Sequence, residues 1–127
     1  MGAMSRRNGA AGERELFALL SDELGSVVRR GLWACRDGGA DTLDVPGWAI
    51  ECKRTERHEA AHWLQAEEQA EREGRRPVLF WRASRRPWVA MVDLADVAPG
   101  VYPRRGETAW ISLPAWCQLV REAPAPA

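Results

Sequence analysis

Asp44-Val45-Pro46-Gly47-Trp48-Ala49-Ile50-Glu51-Cys52-Lys53-Arg54 is the stretch on which the fold turns. Pro46-Gly47 punctuates two short apolar runs, so residues 43–45 and 48–54 read as the arms of a β-hairpin. Residues two apart on a strand point to one face. Glu51 and Lys53 therefore project together, while Ile50 and Cys52 face a core. If Pro46 and Gly47 alone form the loop, Val45 opposes Trp48 and Asp44 opposes Ala49. Asp44 then shares the face of Glu51 and Lys53, and Asp41 points the other way. Pro-Gly is not the pair that two-residue hairpins favour. One extra loop residue weakens the preference for Asp44, which keeps Asp41 as the alternative.

The segments around the hairpin alternate in period. Residues 9–24 carry Leu16, Phe17, Leu20 and Leu24 on one helical stripe, with Gly25 as a stop. Residues 27–35 read as a strand containing Arg29 and Arg30, and residues 36–42 as a loop rich in Gly and Asp. Residues 57–73 read as a helix closed by Gly74. A second hairpin is expected from residues 77–82 and 88–94, across a loop at 83–87. A last strand at 109–113 and a short helix at 114–122, with Pro114 at its first position, complete the chain. The order predicts an α/β chain of α+β type, a mixed sheet flanked by helices in a single domain over residues 5–122. Residues 1–4 read as a cloning leftover before Met4, and residues 123–127 as a frayed tail.

With 127 residues, 46% of them apolar and 28% charged, the chain has ordinary globular composition and enough length for a core without disulfides or a structural metal. Its formal net charge is zero, which excludes a globally basic nucleic-acid binder but not a local basic face. The three cysteines are widely spaced and include no C-x-x-C pair, which fits a reducing compartment rather than a zinc ribbon or disulfide framework. No apolar run or charged-then-apolar leader suggests a membrane span or a signal peptide, so a cytoplasmic protein with no membrane partner is expected.

Among 18 cationic residues only one, Lys53, is a lysine. Two carboxylates and a lysine on one surface make a site for a hard cation. Mg²⁺ takes oxygen ligands, often one or two carboxylates, and fills its shell with water and phosphate. Such an ion lowers the pKa of a bound water and neutralises phosphoryl charge. A lysine beside it holds or deprotonates the attacking water, which arginine does poorly because its guanidinium does not yield a proton. An E-x-K pair alone is also an ordinary ion pair on an exposed strand. Glu13 lies in line with Leu16, Phe17 and Leu20, so it sits either at a pocket or at the favourable N-terminal end of a helix dipole. Glu15 lies on another face, as ordinary surface charge.

Arg7-x-Gly9-x3-Glu13-Arg14-Glu15-Leu16-x3-Leu20, Val28-Arg29-Arg30, Gly38-Gly39-Ala40-Asp41-x2-Asp44-Val45-Pro46-Gly47 and Ile50-Glu51-Cys52-Lys53-Arg54 together resemble the PD-(D/E)XK nuclease superfamily. The likeness is closest to small archaeal-type and phage Holliday junction resolvases. It runs over roughly residues 5–93, and the segment from Pro99 onward has no counterpart. The resemblance implies a restriction-endonuclease-like αβββαβ core and a DNA endonuclease dependent on Mg²⁺ or Mn²⁺. It implies a substrate of branched or four-way DNA, a homodimer, and a phage or bacterial origin. It maps the catalytic set to Glu13, Asp44, Glu51 and Lys53. The metal would be held by Asp44, Glu51 and the backbone carbonyl of Cys52. Only six residues separate Asp44 from Glu51, fewer than in archaeal resolvases, which keeps Asp41 as the rival metal ligand.

Arginines cluster as Arg6-Arg7, Arg29-Arg30, Arg75-Arg76, Arg82 with Arg85-Arg86, and Arg104-Arg105, while acids concentrate in the middle helix. Arg6, Arg7, Arg29, Arg30, Arg85 and Arg86 are the DNA-contact candidates, with Arg85-Arg86 at a hairpin tip the best of them. Trp48, Trp81 and Trp88 are expected to pack in the core or a dimer interface rather than to serve as base-stacking platforms. His58-Glu59-x-x-His62 matches the zinc metalloprotease motif and is the rival reading. No H-x-x-G-x-x-H extension follows it. On a helical wheel His58 and His62 fall with Gln65 and Gln69, opposite Ala60, Leu64 and Ala70, and so face solvent. A non-catalytic DNA-binding protein of nuclease fold is the third possibility.

Overall fold

The computed structural model describes residues 2–31, 41–42 and 44–122, with side chains from residue 9 onward. It is a single-domain α+β fold with a four-stranded mixed sheet and four helices among those residues. In chain order these are α1 (Gly2–Leu24), β1 (Trp48–Arg54), α2 (Ala60–Glu73), β2 (Arg76–Arg82), β3 (Val89–Asp93), α3 (Leu94–Val97), β4 (Thr108–Ser112) and α4 (Leu113–Glu122). The sheet runs β1-β2-β3-β4. β1 and β2 are parallel, with Glu51 beside Leu79 and Lys53 beside Trp81. β3 and β4 each add antiparallel. Parallel neighbours need a crossover, and α2 supplies it. Gly74 ends that helix in the left-handed conformation (φ 65°), where its N–H reaches the carbonyls of Ala70 and Glu71.

The alternation read from the sequence sorts the two faces of β1. Trp48, Ile50 and Cys52 enter the main core with Leu16, Phe17 and Leu20 of α1 and with Trp116 and Cys117 of α4. Ala49 packs on Ala70 of α2, and Leu79 of β2 meets Trp63 and Ala66 on that same face. Trp116 is fully buried and sets its ring edge-on against Trp48 and Phe80, with centroids 5.4 and 5.1 Å away. Trp116→Ala is therefore expected to cost about 3 to 5 kcal/mol, the range for emptying a large aromatic from a core. A urea titration checks it through a lower midpoint at unchanged slope. The segment beyond Pro99 is thus no appendage: β4 and α4 close the sheet edge and the core.

Several boundaries differ from the expected ones. α1 begins at Gly2 rather than residue 9, so residues 2–4 of the stretch set aside as a leftover are helical, as the helix-forming Ala3 and Met4 permit. α4 begins at Leu113, which puts Pro114 second in the helix. Residues 27–31 join no strand. Val28 is buried, its N–H bonded to Ser21 Oγ at 2.9 Å, and the Gly31 N–H donates to the Asp41 carbonyl at 2.8 Å. The rest of the strand expected at 27–35, and most of the loop at 36–42, lie outside the described residues. Of the strand arm expected at 43–45, Asp44 and Val45 join no strand and residue 43 lies outside the described residues; one antiparallel bridge, Thr42 to Ile50, precedes the turn. Among the described residues one strand, not three, precedes α2. No described helix is long and apolar enough to cross a membrane.

Candidate active site

The bridge decides which aspartate accompanies Glu51. Pro46-Gly47 does form a turn, closed by a Trp48 N–H to Val45 carbonyl bond of 3.1 Å with Gly47 at φ 82°. Positive φ at the second central residue, after Pro, is type II geometry, which splays hairpin arms. The ladder does not continue in the register of a two-residue loop, which would set Thr42 opposite Glu51. Thr42 instead opposes Ile50, through the Ile50 N–H to the Thr42 carbonyl (3.1 Å) and the Thr42 N–H to the Ile50 carbonyl (3.4 Å), which also accepts the Asp41 N–H (2.9 Å). A slip of one residue exchanges the faces. Asp41 now lies across from Glu51.

Asp44 is the correction. Its half-exposed carboxylate accepts the Arg29 N–H at 2.7 Å and sits 3.9 Å from Arg29 Nε. It pins the 27–31 segment to the turn and is no part of the Glu51 cluster. Asp41 takes that place: its Oδ2 accepts the Cys52 N–H at 2.7 Å, one residue from Glu51.

Glu51 is buried, with one carboxylate oxygen 3.7 Å from Lys53 Nζ and the other, Oε2, without any hydrogen-bond partner. Burial pushes its pKa up to about 9, helped by the charge of Asp41 and a hydrogen bond between the two carboxyls, against the pull of Lys53. Burial also raises Asp41, opposed by the Cys52 N–H and the Lys53 charge. Glu13 belongs to the same electrostatic cluster. Burial and then the Asp41 charge raise it, while Arg30, 3.2 Å away through Nε, and Lys53 pull it down. The close approach of α1 to β1 that brings Glu13 here occurs at Gly12, where a Cβ would lie 3.0 Å from Arg54 Cβ. Desolvation likewise raises the Cys52 thiol, whose side chain faces the main core.

Two carboxylates lie at the centre of this arrangement, and no group of three His, Cys, Asp or Glu side chains among the described residues closes into a ligand set. The N–H and C=O of one strand residue leave by the same edge. The Cys52 carbonyl therefore stands at the edge where its N–H meets Asp41. A desolvated carboxylate pair, a backbone carbonyl and an orphaned buried oxygen fit a hard divalent cation that keeps several waters. A groove of about 360 Å³, lined in part by Glu13, Arg14, Phe17, Arg29 and Arg30, opens beside Glu13.

The basic candidates divide. Arg29 and Arg30 are exposed while paired with Asp44 and Glu13. Arg85 and Arg86 are exposed at the β2–β3 hairpin tip, Arg85 in the left-handed region (φ 63°). The side chains of Arg6 and Arg7 lie outside the described residues. Arg76 stacks on Trp48 at 4.2 Å and Arg105 ties Asp96 at 2.6 Å, so both are internal fastenings. Glu15, expected as surface charge, accepts the Trp88 Nε1–H at 2.7 Å and pairs with Arg82 at 3.2 Å, joining α1 to the hairpin.

The H-E-x-x-H residues do not present two histidines from one helix. α2 starts at Ala60, Glu59 is its N-cap, and His58 precedes it. His62 Nδ1 accepts the Glu59 N–H at 3.4 Å. Nor do the histidines face open solvent: both are half-buried, because α2 turns Trp63, Ala66, Gln69 and Ala70 inward and leaves Leu64 exposed. The larger apolar area of Trp63 sets that rotation. His58 packs edge-on against Trp110 and Trp81, with centroids 4.9 and 6.0 Å away. No sequence signal drew attention to Trp110, because it and its two ring partners come from three separate segments.

The chain matches no family model, no curated protein and no solved structure.

Proposed function

We propose that this protein is a Mg²⁺- or Mn²⁺-dependent endodeoxyribonuclease that hydrolyses phosphodiester bonds in branched DNA, in the manner of a Holliday junction resolvase. The observation that carries the reading is the meeting of Asp41, Glu51 and Lys53 around a buried carboxylate oxygen with no protein partner. A helix over one face of the sheet, the E-x-K strand, and a helical crossover to a parallel strand support a restriction-endonuclease-like core. On this reading the protein works in the cytoplasm of a bacterium or phage-infected cell, as a homodimer, since a four-way junction offers two equivalent strands.

Asp41, Glu51 and the Cys52 carbonyl would hold the ion, with Glu13 acting through water. The bound ion supplies an acidified water and charge neutralisation at the phosphate. Lys53 orients the attacking water or takes its proton, and as a cation meets the charge growing on the phosphoryl oxygens. Asp41 is itself held by the Cys52 N–H and by its hydrogen bond to Glu51, so its carboxylate is positioned before substrate arrives. Arg85 and Arg86, with Arg29 and Arg30, supply cations for the DNA backbone.

The test is cleavage of labelled four-way, flap and linear duplex DNA in Mg²⁺, Mn²⁺ or EDTA. The wild type is expected to cut branched DNA with either metal and not in EDTA. Lys53→Ala is expected to cut about 100-fold more slowly, the lower range for loss of a positioned acid–base group. Wild-type protein that binds DNA but cuts none of the three with either metal overturns the enzyme reading.

A further inference from the structure

We infer that His58, Trp81 and Trp110 form a stacking platform for an unpaired nucleobase of the DNA strand held at Lys53; the inference rests on the nuclease reading for its substrate. Sheet register builds the platform. Lys53 and Trp81 are partners on β1 and β2, and Trp110 of β4 pairs with Met91, which pairs with Leu79, which pairs with Glu51. Directly opposed residues share a face. The carboxylate–lysine centre and the two tryptophans therefore occupy adjoining rows of the same sheet face. The platform starts one strand spacing from Lys53, about 5 Å.

The rings are set apart from the core aromatics. Trp48, Trp88 and Trp116 are at most 5% exposed, whereas Trp110 is 39% exposed on the edge strand. Trp81 is half-buried, 5.8 Å from Trp110, and held by its Nε1–H to Thr55 Oγ1 at 3.0 Å. His58 stands edge-on to both, and its Nδ1 is shielded yet has no hydrogen-bond partner, so ring contacts fix it. The result is a partly open aromatic surface, and both the Lys53 ammonium and the Glu59 carboxylate act on His62, 5.7 Å from His58. Aromatic faces beside a cation suit a base whose own phosphate lies against that cation, and they accept any base because each has a π-face. Duplex DNA keeps its bases stacked, so the platform selects strands with unpaired positions, as at flaps and junction crossings.

The experiment titrates the whole protein with a single-stranded dT oligonucleotide, the same length carrying abasic sites, and a fully paired duplex. EDTA is present, so binding is read without cleavage, by anisotropy of a labelled strand. Trp110→Ala and His58→Ala are each expected to bind the dT strand about tenfold more weakly than wild type. Trp110→Phe is expected to restore most of the affinity, and duplex binding to stay within about twofold. Equal affinity for abasic and dT strands overturns the inference, as does an unchanged Trp110→Ala affinity. Conversion of a dimer to a monomer by Trp110→Ala would make the surface a subunit contact and also overturn it. The nuclease reading stands or falls separately, by cleavage in Mg²⁺: loss of platform binding in a protein that cuts nothing sinks that reading alone.

Discussion

Asp41→Asn is expected to reduce metal-dependent DNA cleavage by about a thousandfold, while Asp44→Asn stays within a few-fold of wild type. The two residues are three apart, and their carboxylates serve different partners. Asp41 meets Glu51 and the Cys52 N–H, and Asp44 meets Arg29. The amide of Asn keeps the shape of Asp41 but removes the charge. A bound ion contributes several kcal/mol of transition-state stabilisation. Losing about 4 kcal/mol of it amounts to three decades in rate. The measurement is single-turnover cleavage of a labelled four-way junction at saturating Mg²⁺, with both variants checked for folding. A dead Asp44→Asn beside an active Asp41→Asn would return the metal to the register of a two-residue hairpin and overturn this assignment.

The metal-free protein is expected to lose stability steadily from pH 5 to pH 9. The Glu51 carboxyl, with an ordinary value of 4.5, titrates at about 9 in the folded chain. Between those values the unfolded chain has given up a proton that the folded chain retains. Stability therefore falls with rising pH across that window, and the contribution is gone once pH passes the folded value. Asp41 and Glu13, raised for the same reason, push in the same direction. In EDTA the melting temperature is expected to drop by at least about 5 °C over this range, since 1 kcal/mol shifts a chain of this size by roughly 4 °C. Glu51→Gln carries no charge at any pH. It is expected to flatten much of the slope and to melt higher than wild type at pH 8 while losing cleavage. Mg²⁺ is expected to restore the wild type at pH 8, with proton release on binding, and to leave Glu51→Gln unmoved. A wild-type melting temperature independent of pH would remove the carboxylate pair from this account.

Those two experiments probe a site of which part is legible in the chain and part is not. Glu51 and Lys53 are legible because a strand alternates with a period of two, and nothing distant changes which of its residues share a face. Lys53 also stands out as the one lysine among 18 cations. Glu13 is legible as an acid in line with Leu16, Phe17 and Leu20, a helical spacing. Asp41 is not, because it reaches the site only through hairpin register. Register depends on how the Pro46-Gly47 turn meets the sheet twist, and a single residue of slip trades Asp41 for Asp44. His58, Trp81 and Trp110 are still less legible, since they come from the approach to α2, from β2 and from β4.

Local periodicity, set by the geometry of a strand or helix, was enough to find α2, the β2–β3 hairpin, β4 and α4 and the inward faces of β1 and α1. The rotation of α2 was beyond it, because Trp63 and Leu64 compete for the interior and only the packing against Leu79 chooses between them. The sorting of arginines was beyond it too. Arg76 and Arg105 look like Arg29 and Arg85 in the chain, but whether a guanidinium finds an indole, a carboxylate or open water depends on what folding brings beside it. Interactions closed within one turn or one strand are written in the order of residues. Those that join separate segments depend on register and helix rotation, and the whole assembly fixes them together.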